Sequence, residues 1–246
     1  MKTVIPAYRI FPIGDAALTI DFGNTIDEEI NSLVIQLFNH LSKQRLTGVR
    51  EIVPAYSSIS VYYDLFQLSK SMPAGKTVFD WMSEQLEERL QLPFEANHEA
   101  SRLVTIPVCY EREFAPDIEE LARQKKISPD EIIHLHCSKR YRVYMLGFLP
   151  GFCYMGETDE RIAVPRKSQP QQVEAGSVGI AGRQTGIYPS VSPGGWHIIG
   201  RTPVKLFDAL CNSSTDDENV VEPFCLLKPG DTVEFTSISK NEFENY

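Results

Sequence analysis

Four residues in the stretch IAGRQTGIYPSVSPGGW (180–196) put polar chemistry into a segment dense in glycine: Arg183, Gln184, Thr185 and Tyr188. Arg183 offers a fixed fork of donors to a carboxylate or phosphate. Gln184 and Thr185, set between glycines, offer donors to an amide, a carboxylate or an oxyanion. The competing reading is a run of tight turns in which Gly194-Gly195 supplies positive φ. Both readings remain open at this level. A dinucleotide fingerprint is excluded, because Gly179, Gly182 and Gly186 are spaced G-x-x-G-x-x-x-G with no βαβ pattern around them.

Three further groups invite chemistry. In GFLPGFCYMG (147–156), Gly147, Pro150, Gly151 and Gly156 punctuate the chain, while Phe148, Phe152 and Tyr154 alternate as residues along strands do. They make either an aromatic plug in a barrel core or a concave aromatic wall around a ligand or inserted peptide. His134-Leu135-His136-Cys137 suggests a metal or a nucleophile. On a helix, however, i and i+2 point to nearly opposite sides, so the two histidines cannot share one ion. One is expected in the core and one in solvent, with His136 the better functional candidate. PAGKT (73–77) has the position of a phosphate loop but not its composition. The first glycine would fall at Lys70, and Pro73 has no N–H to give. Thr77 and Asp80 read instead as a helix cap.

Two kinds of framework must hold these groups. In the first ninety residues, YRIFPI and ALTIDF read as strands. A helix follows, with Thr25 and Glu28 at capping-box spacing and Ile30, Leu33, Val34, Leu37, Phe38 and Leu41 on one stripe. VREIV and SISVYY are strands, and a second helix spans roughly 77–92. The β-β-α-β-β-α order predicts a small α+β domain over residues 1–95, with PFEANHEAS (93–101) as a linker. Residues 96–246 differ. RLVTIPVCY is a strand, and two short helices follow, the second with Ser128 as cap, Pro129 in its first turn and Glu131 completing the box. No clear helical period then appears until PVKLFDAL (203–210). Ten of the fifteen glycines lie between Gly147 and Gly200, which predicts a compact β-barrel rich in turns.

Composition narrows the function classes. The chain has 246 residues, a net charge of −9 and 42% hydrophobic residues, an ordinary soluble balance without the basic footprint of a nucleic-acid binder. No run reaches the length of a membrane span, and the start lacks the apolar region of a signal peptide. Five widely spaced cysteines without C-x-x-C argue against a disulfide framework and a zinc ribbon. The expectation is a reduced, cytoplasmic protein with no metal.

GFLPGFCYMGETDERIAVPRK (147–167), AGSVGIAGRQTGIYPSVSPGGWHIIGRTP (175–203) and LLKPGDTVEF (226–235) together resemble the family of 5-oxoprolinase B subunits. It is also called allophanate hydrolase subunit 1 and includes the sporulation-kinase inhibitor KipI. IGDAALTIDFG and VPAYSSISVYYD extend the resemblance over nearly the whole chain. It implies an α+β N-terminal domain followed by a cyclophilin-like β-barrel. It also implies work with the A and C subunits to open 5-oxo-L-proline to L-glutamate at the expense of ATP, with ATP not held by a P-loop of this chain. The inhibitor branch implies the alternative, a block on autophosphorylation of a sensor histidine kinase through its dimerisation region. The chain departs from the family where Cys153, Met155 and Arg183 replace a common proline, leucine and small residue. No catalytic residue carries over. The candidates for substrate binding or an interface are His136, Pro150, Phe152, Arg183, Gln184, Thr185, Tyr188 and Trp196.

Overall fold

Strict alternation in SISVYY and ALTID sends Ile59, Val61, Tyr63, Leu18 and Ile20 to one face, and all five are buried. A computed structural model describes residues 5–44, 46–91, 101–209 and 224–246. They fall into two compact units, Met1–Ala100 and Ser101–Tyr246. The expected linker, apart from Ser101, lies outside the described residues.

The first unit holds β1 (Arg9–Pro12), β2 (Ala17–Asp21), α1 (Glu28–Lys43), β3 (Val49–Pro54), β4 (Ser58–Tyr63), α2 (Leu65–Ser69) and α3 (Val78–Gln91). Its strands form one antiparallel sheet in the order β1-β2-β4-β3. Leu33, Val34, Leu37 and Leu41 of α1 and Met82, Leu86 and Leu90 of α3 join the buried sheet residues in one core. The cap of α1 differs from the sequence expectation. Asp27, not Thr25, accepts from the Ile30 N–H (2.9 Å), so Glu28 and Glu29 fall in the first turn, where the helix dipole favours them. At α3 the expected pair holds: Thr77 Oγ1 accepts from the Asp80 N–H (3.1 Å), and the Asp80 carboxylate accepts from the Thr77 N–H (3.3 Å).

The second unit holds β5 (Leu103–Cys109), α4 (Ile118–Lys125), α5 (Pro129–Cys137), β6 (Arg140–Leu146), β7 (Cys153–Gly156) and, after a 3-10 turn at Glu160–Ile162, β8 (Gln171–Val173). There follow β9 (Ser177–Ala181), β10 (Gln184–Ile187), β11 (Ser192–Gly194), β12 (His197–Arg201), β13 (Thr232–Ile238) and α6 (Lys240–Glu244). Seven strands close a barrel in the order β10-β7-β6-β13-β5-β12-β9, and β8 and β11 form a separate two-stranded sheet. Among the described residues of the barrel only β13 and β5 pair in parallel, from Thr232↔Leu103 to Ile238↔Cys109. Ile106, Val143, Met155, Ile180, Ile187 and Phe235 are among the buried residues of its core.

At α5, Ser128 Oγ accepts from the Glu131 N–H (3.1 Å) as expected, but the Glu131 carboxylate pairs with Arg161 (2.9 Å) instead of returning to the cap. The helix expected at 203–210 does not form over its described part. The Asp208 N–H donates to the Phe224 carbonyl, the Leu226 N–H donates to the Leu206 carbonyl, and Phe207 bridges to Cys225. Backbone groups that a helix would pair locally are taken by a segment distant in sequence. Among the described residues no helix is long and apolar enough to cross a membrane.

Candidate functional site

The register of β7 with β10 sets the geometry: Cys153 faces Ile187, Tyr154 faces Gly186, Met155 faces Thr185 and Gly156 faces Gln184. The two-residue period then divides the sequence candidates between two environments. Cys153, Met155, Thr185 and Ile187 point into the barrel and are fully buried. Tyr154 and Gly186 point outward, toward a second, smaller apolar cluster.

Inside, His136 and Thr185 meet. The Thr185 hydroxyl has one proton, and the Gly179 carbonyl can only accept it (3.1 Å), so Thr185 accepts from His136 Nε2–H (2.9 Å). His136 Nδ1 therefore accepts from the Tyr110 hydroxyl (2.8 Å), whose oxygen accepts from the Cys137 thiol (3.4 Å). The imidazole also stacks on Phe235, with ring centroids 4.4 Å apart. Burial pushes the His136 pKa down to about 3, so the ring is neutral near neutral pH. Burial pushes the Cys153 thiol up to about 12 and raises that of Cys137, so neither is a ready nucleophile. Every donor in this chain of groups has an acceptor, and His136 and Thr185 have no exposed surface. The arrangement can pin α5 to β9 and β10; it gives a ligand no entry. His134 lies in solvent, as the i, i+2 argument requires. His197 goes elsewhere, its Nε2 lying 3.1 Å from the Pro165 carbonyl oxygen.

Outside, Phe152 is the hub of an aromatic cluster. Its ring lies edge-on to Tyr154 (4.9 Å), Tyr188 (5.1 Å) and Trp196 (5.5 Å). Glycine makes this possible: a Cβ on Gly186 would stand 2.8 Å from the Cys153 carbonyl oxygen and 3.0 Å from both the Phe152 and Trp196 rings. Pro150 and Gly151 (φ +83°) form the two central residues of a type II turn closed by the Phe152 N–H on the Leu149 carbonyl (3.0 Å). Pro150 itself is exposed. Phe148 packs edge-on against Phe152 at 5.6 Å, yet it is 60% exposed and held at φ +72°. A bulky residue held in the left-handed region is uncommon, and such strain concentrates at functional surfaces.

Beside this cluster opens a cleft of about 300 Å³, lined by Tyr154, Pro165, Arg166, Gly182, Gln184 and Trp196. Of the sequence candidates only Gln184 and Trp196 line it. Arg183 sits on a rim with its guanidinium engaged by Glu157 (2.8 Å) and Glu160 (3.3 Å). Tyr188 is buried under the wall, and burial raises the pKa of its phenol. Burial raises the Tyr154 phenol pKa, and the nearby Arg166 charge opposes the rise. Arg166 is the group the sequence candidates omit. Arg161 and Lys167 flank it with the same charge, and only pairing in space separates the three. The described residues hold no group of three or more His, Cys, Asp and Glu side chains suited to a metal ion.

Among known proteins, residues 8–215 match the family described as carboxyltransferase domain, subdomain C and D. The 5-oxoprolinase B subunit of Bacillus subtilis is 42% identical over 97% of this chain and 96% of its own length. A conserved uncharacterized protein of Pyrococcus horikoshii has a solved structure that is 41% identical, covering 96% of this chain and all of the other, with a TM-score of 0.52. The Kluyveromyces lactis urea carboxylase matches 99% of this chain with a TM-score of 0.74 at 19% identity, a likeness of fold alone; the chain spans 23% of that protein. The chain belongs to the family of 5-oxoprolinase B subunits.

Proposed function

We propose that the chain acts as the B subunit of an ATP-dependent 5-oxoprolinase that hydrolyses 5-oxo-L-proline to L-glutamate, working only with the A and C subunits in the cytoplasm. The observation that carries this reading is 42% identity along almost the full length of the Bacillus subtilis B subunit. The barrel is read as cyclophilin-like. The substrate is an unstrained lactam, whose amide resists water until its carbonyl is activated and the developing oxyanion is held. ATP is assigned to the other two subunits, because Pro73–Thr77 does not fit a triphosphate. Thr77 and Asp80 cap each other, and Lys76 pairs with Glu84. This chain's part is to bind and orient the substrate.

The test is reconstitution of the three subunits, followed by 5-oxoproline-dependent release of ADP and glutamate. No turnover by the full complex, or turnover unchanged when this chain is left out, overturns the reading. A second reading, inhibition of a sensor histidine kinase, is favoured by one observation: exposed Phe148 offers an apolar contact above the aromatic cluster. An unchanged autophosphorylation rate with the chain at micromolar concentration counts against it.

A further inference from the structure

We propose that the cleft between Arg166 and Trp196 is a carboxylate-binding site, with Arg166 taking the carboxylate of a small, flat, amide-bearing acid. The inference rests on the 5-oxoprolinase reading and names the place where this chain holds the substrate.

Three observations converge. First, among the described residues Arg166 lacks a counter-ion where its neighbours have one. Arg161 pairs with Asp159 and Glu131, Lys167 with Asp117, and Arg183 with Glu157 and Glu160. Arg166 makes no ion pair among the described residues, in a chain with 33 acidic and 24 basic side chains. Second, the backbone around it is fixed on both sides. Val164 and Gly182 exchange two backbone hydrogen bonds (2.6 and 3.2 Å). The Lys167 N–H donates to the Gly195 carbonyl (2.8 Å), and Lys167 Nζ reaches Asp117 at 2.7 Å, whose carboxylate also accepts from the Ile198 N–H (2.6 Å). The backbone that carries Arg166 is thus anchored, so binding pays for ordering the side chain but not the loop.

Third, the rest of the lining is uncharged. Tyr154 and Trp196 are its aromatic members, Pro165, Ala181 and Gly182 add small and apolar groups, and Gln184 is the one carboxamide. One cation in an otherwise neutral cleft suits a monoanion. A volume of about 300 Å³ lies at the small end of ligand sites. A guanidinium fork holds a carboxylate through two parallel hydrogen bonds.

The experiment has two arms, both on full-length protein. In the first, 5-oxoproline and its neutral carboxamide are titrated into the chain, and the arginine Nε–H and tryptophan indole signals are followed by NMR. The acid is expected to shift the Trp196 indole and one arginine signal that is absent from Arg166→Gln. The carboxamide should bind about tenfold or more weaker, the worth of one charge-assisted pair. In the second, the reconstituted complex carrying Arg166→Gln is expected to show a KM for 5-oxoproline raised about tenfold with kcat kept, the mark of lost uniform binding. Arg166→Lys should recover part of the loss, and Arg123→Gln, on the exposed face of α4, none of the effect. Equal binding of acid and carboxamide, or an Arg166→Gln complex with unchanged KM, overturns the site. Carboxylate-dependent binding without turnover by the wild-type complex overturns the enzyme reading and keeps the site. Turnover indifferent to Arg166 does the reverse, and loss of both binding and turnover removes both.

Discussion

The inner and outer faces of β7 and β10 are built from neighbouring residues and do opposite things. Inward, Thr185 closes a set of hydrogen bonds with His136, Tyr110 and Gly179 in which each donor has an acceptor. Outward, one residue away, Gln184 lines an open cleft beside an arginine without an ion pair among the described residues. Buried polar groups must be satisfied, because an orphaned one costs about 1–3 kcal/mol. An exposed cation meets no such demand and is left available to a ligand. Candidate residues adjacent in sequence therefore divide into scaffold and site by the parity of their position.

The sharpest way to break this division is to remove its largest buried parts. Phe152→Ala takes out a ring that is 1% exposed and packed against four others, and is expected to destabilise the second unit by about 3–5 kcal/mol. Urea denaturation in a Trp81→Phe background, with Trp196 as reporter, reads the change. A loss below ~1 kcal/mol would mean that the outer cluster is not a core. His136→Ala is expected to cost about 3 kcal/mol, because it opens a cavity and strands the Tyr110 hydroxyl. If the inner face is scaffold alone, any variant still folded keeps its affinity for 5-oxoproline; a loss of affinity at unchanged stability would place His136 in the site.

The same histidine gives a pH signature. Its folded pKa, about 3, lies below the ordinary value of 6.5, so the unfolded chain binds the extra proton. The stabilisation is complete above pH 6.5 and is lost as pH falls from there toward 3. In that window the wild type should lose about 1.4 kcal/mol per pH unit more than His136→Gln. His40 in the first unit is lowered in the same sense by burial, and remains in both proteins, so the difference between them isolates His136. Parallel stability curves would show that the imidazole is not held neutral.

Much of this frame is legible in the chain. The stripe through Leu33, Val34 and Leu37 marks α1, Ser128-Pro129 marks the start of α5, and the density of glycine from Gly147 to Gly200 marks the barrel. What escapes depends on partners far along the chain. Thr185 reads as a loop donor until β7 pairing turns it inward, and Arg166 looks like Arg161 until Asp159 and Glu131 are seen to claim only the latter. Residues 203–209 have an apolar pattern fit for a helix, but their backbone is paired with 224–226. Local periodicity reports which face a residue takes and not what waits there.

Gly186→Ala tests the seam between the faces. Its methyl would meet a carbonyl oxygen at 2.8 Å and two rings at 3.0 Å, so overpacking is expected to cost about 1–3 kcal/mol. The rings it displaces are those of Phe152 and Trp196, and Trp196 lines the cleft. Weaker 5-oxoproline binding should accompany the lost stability, measured by the same NMR titration. A stability loss with affinity intact would separate the cluster from the cleft.

The smallest expected effect is the most discriminating. Arg183 stands in the polar group most suggestive of chemistry, but Glu157 and Glu160 hold its guanidinium, and its side chain is 46% exposed. Surface pairs of this kind contribute about 0–1 kcal/mol. Arg183→Gln should therefore leave both the urea midpoint and the affinity for 5-oxoproline nearly unchanged. Its partners are acidic, so the substitution also frees two carboxylates near the cleft, which would repel an anion. A modest weakening that vanishes in high salt fits that long-range field, since screening removes it over about 10 Å at 0.1 M salt. A loss that survives salt and matches that of Arg166→Gln would mean that Arg183 leaves its glutamates to grip the ligand. The boundary between rim and site would then have to be redrawn around both arginines.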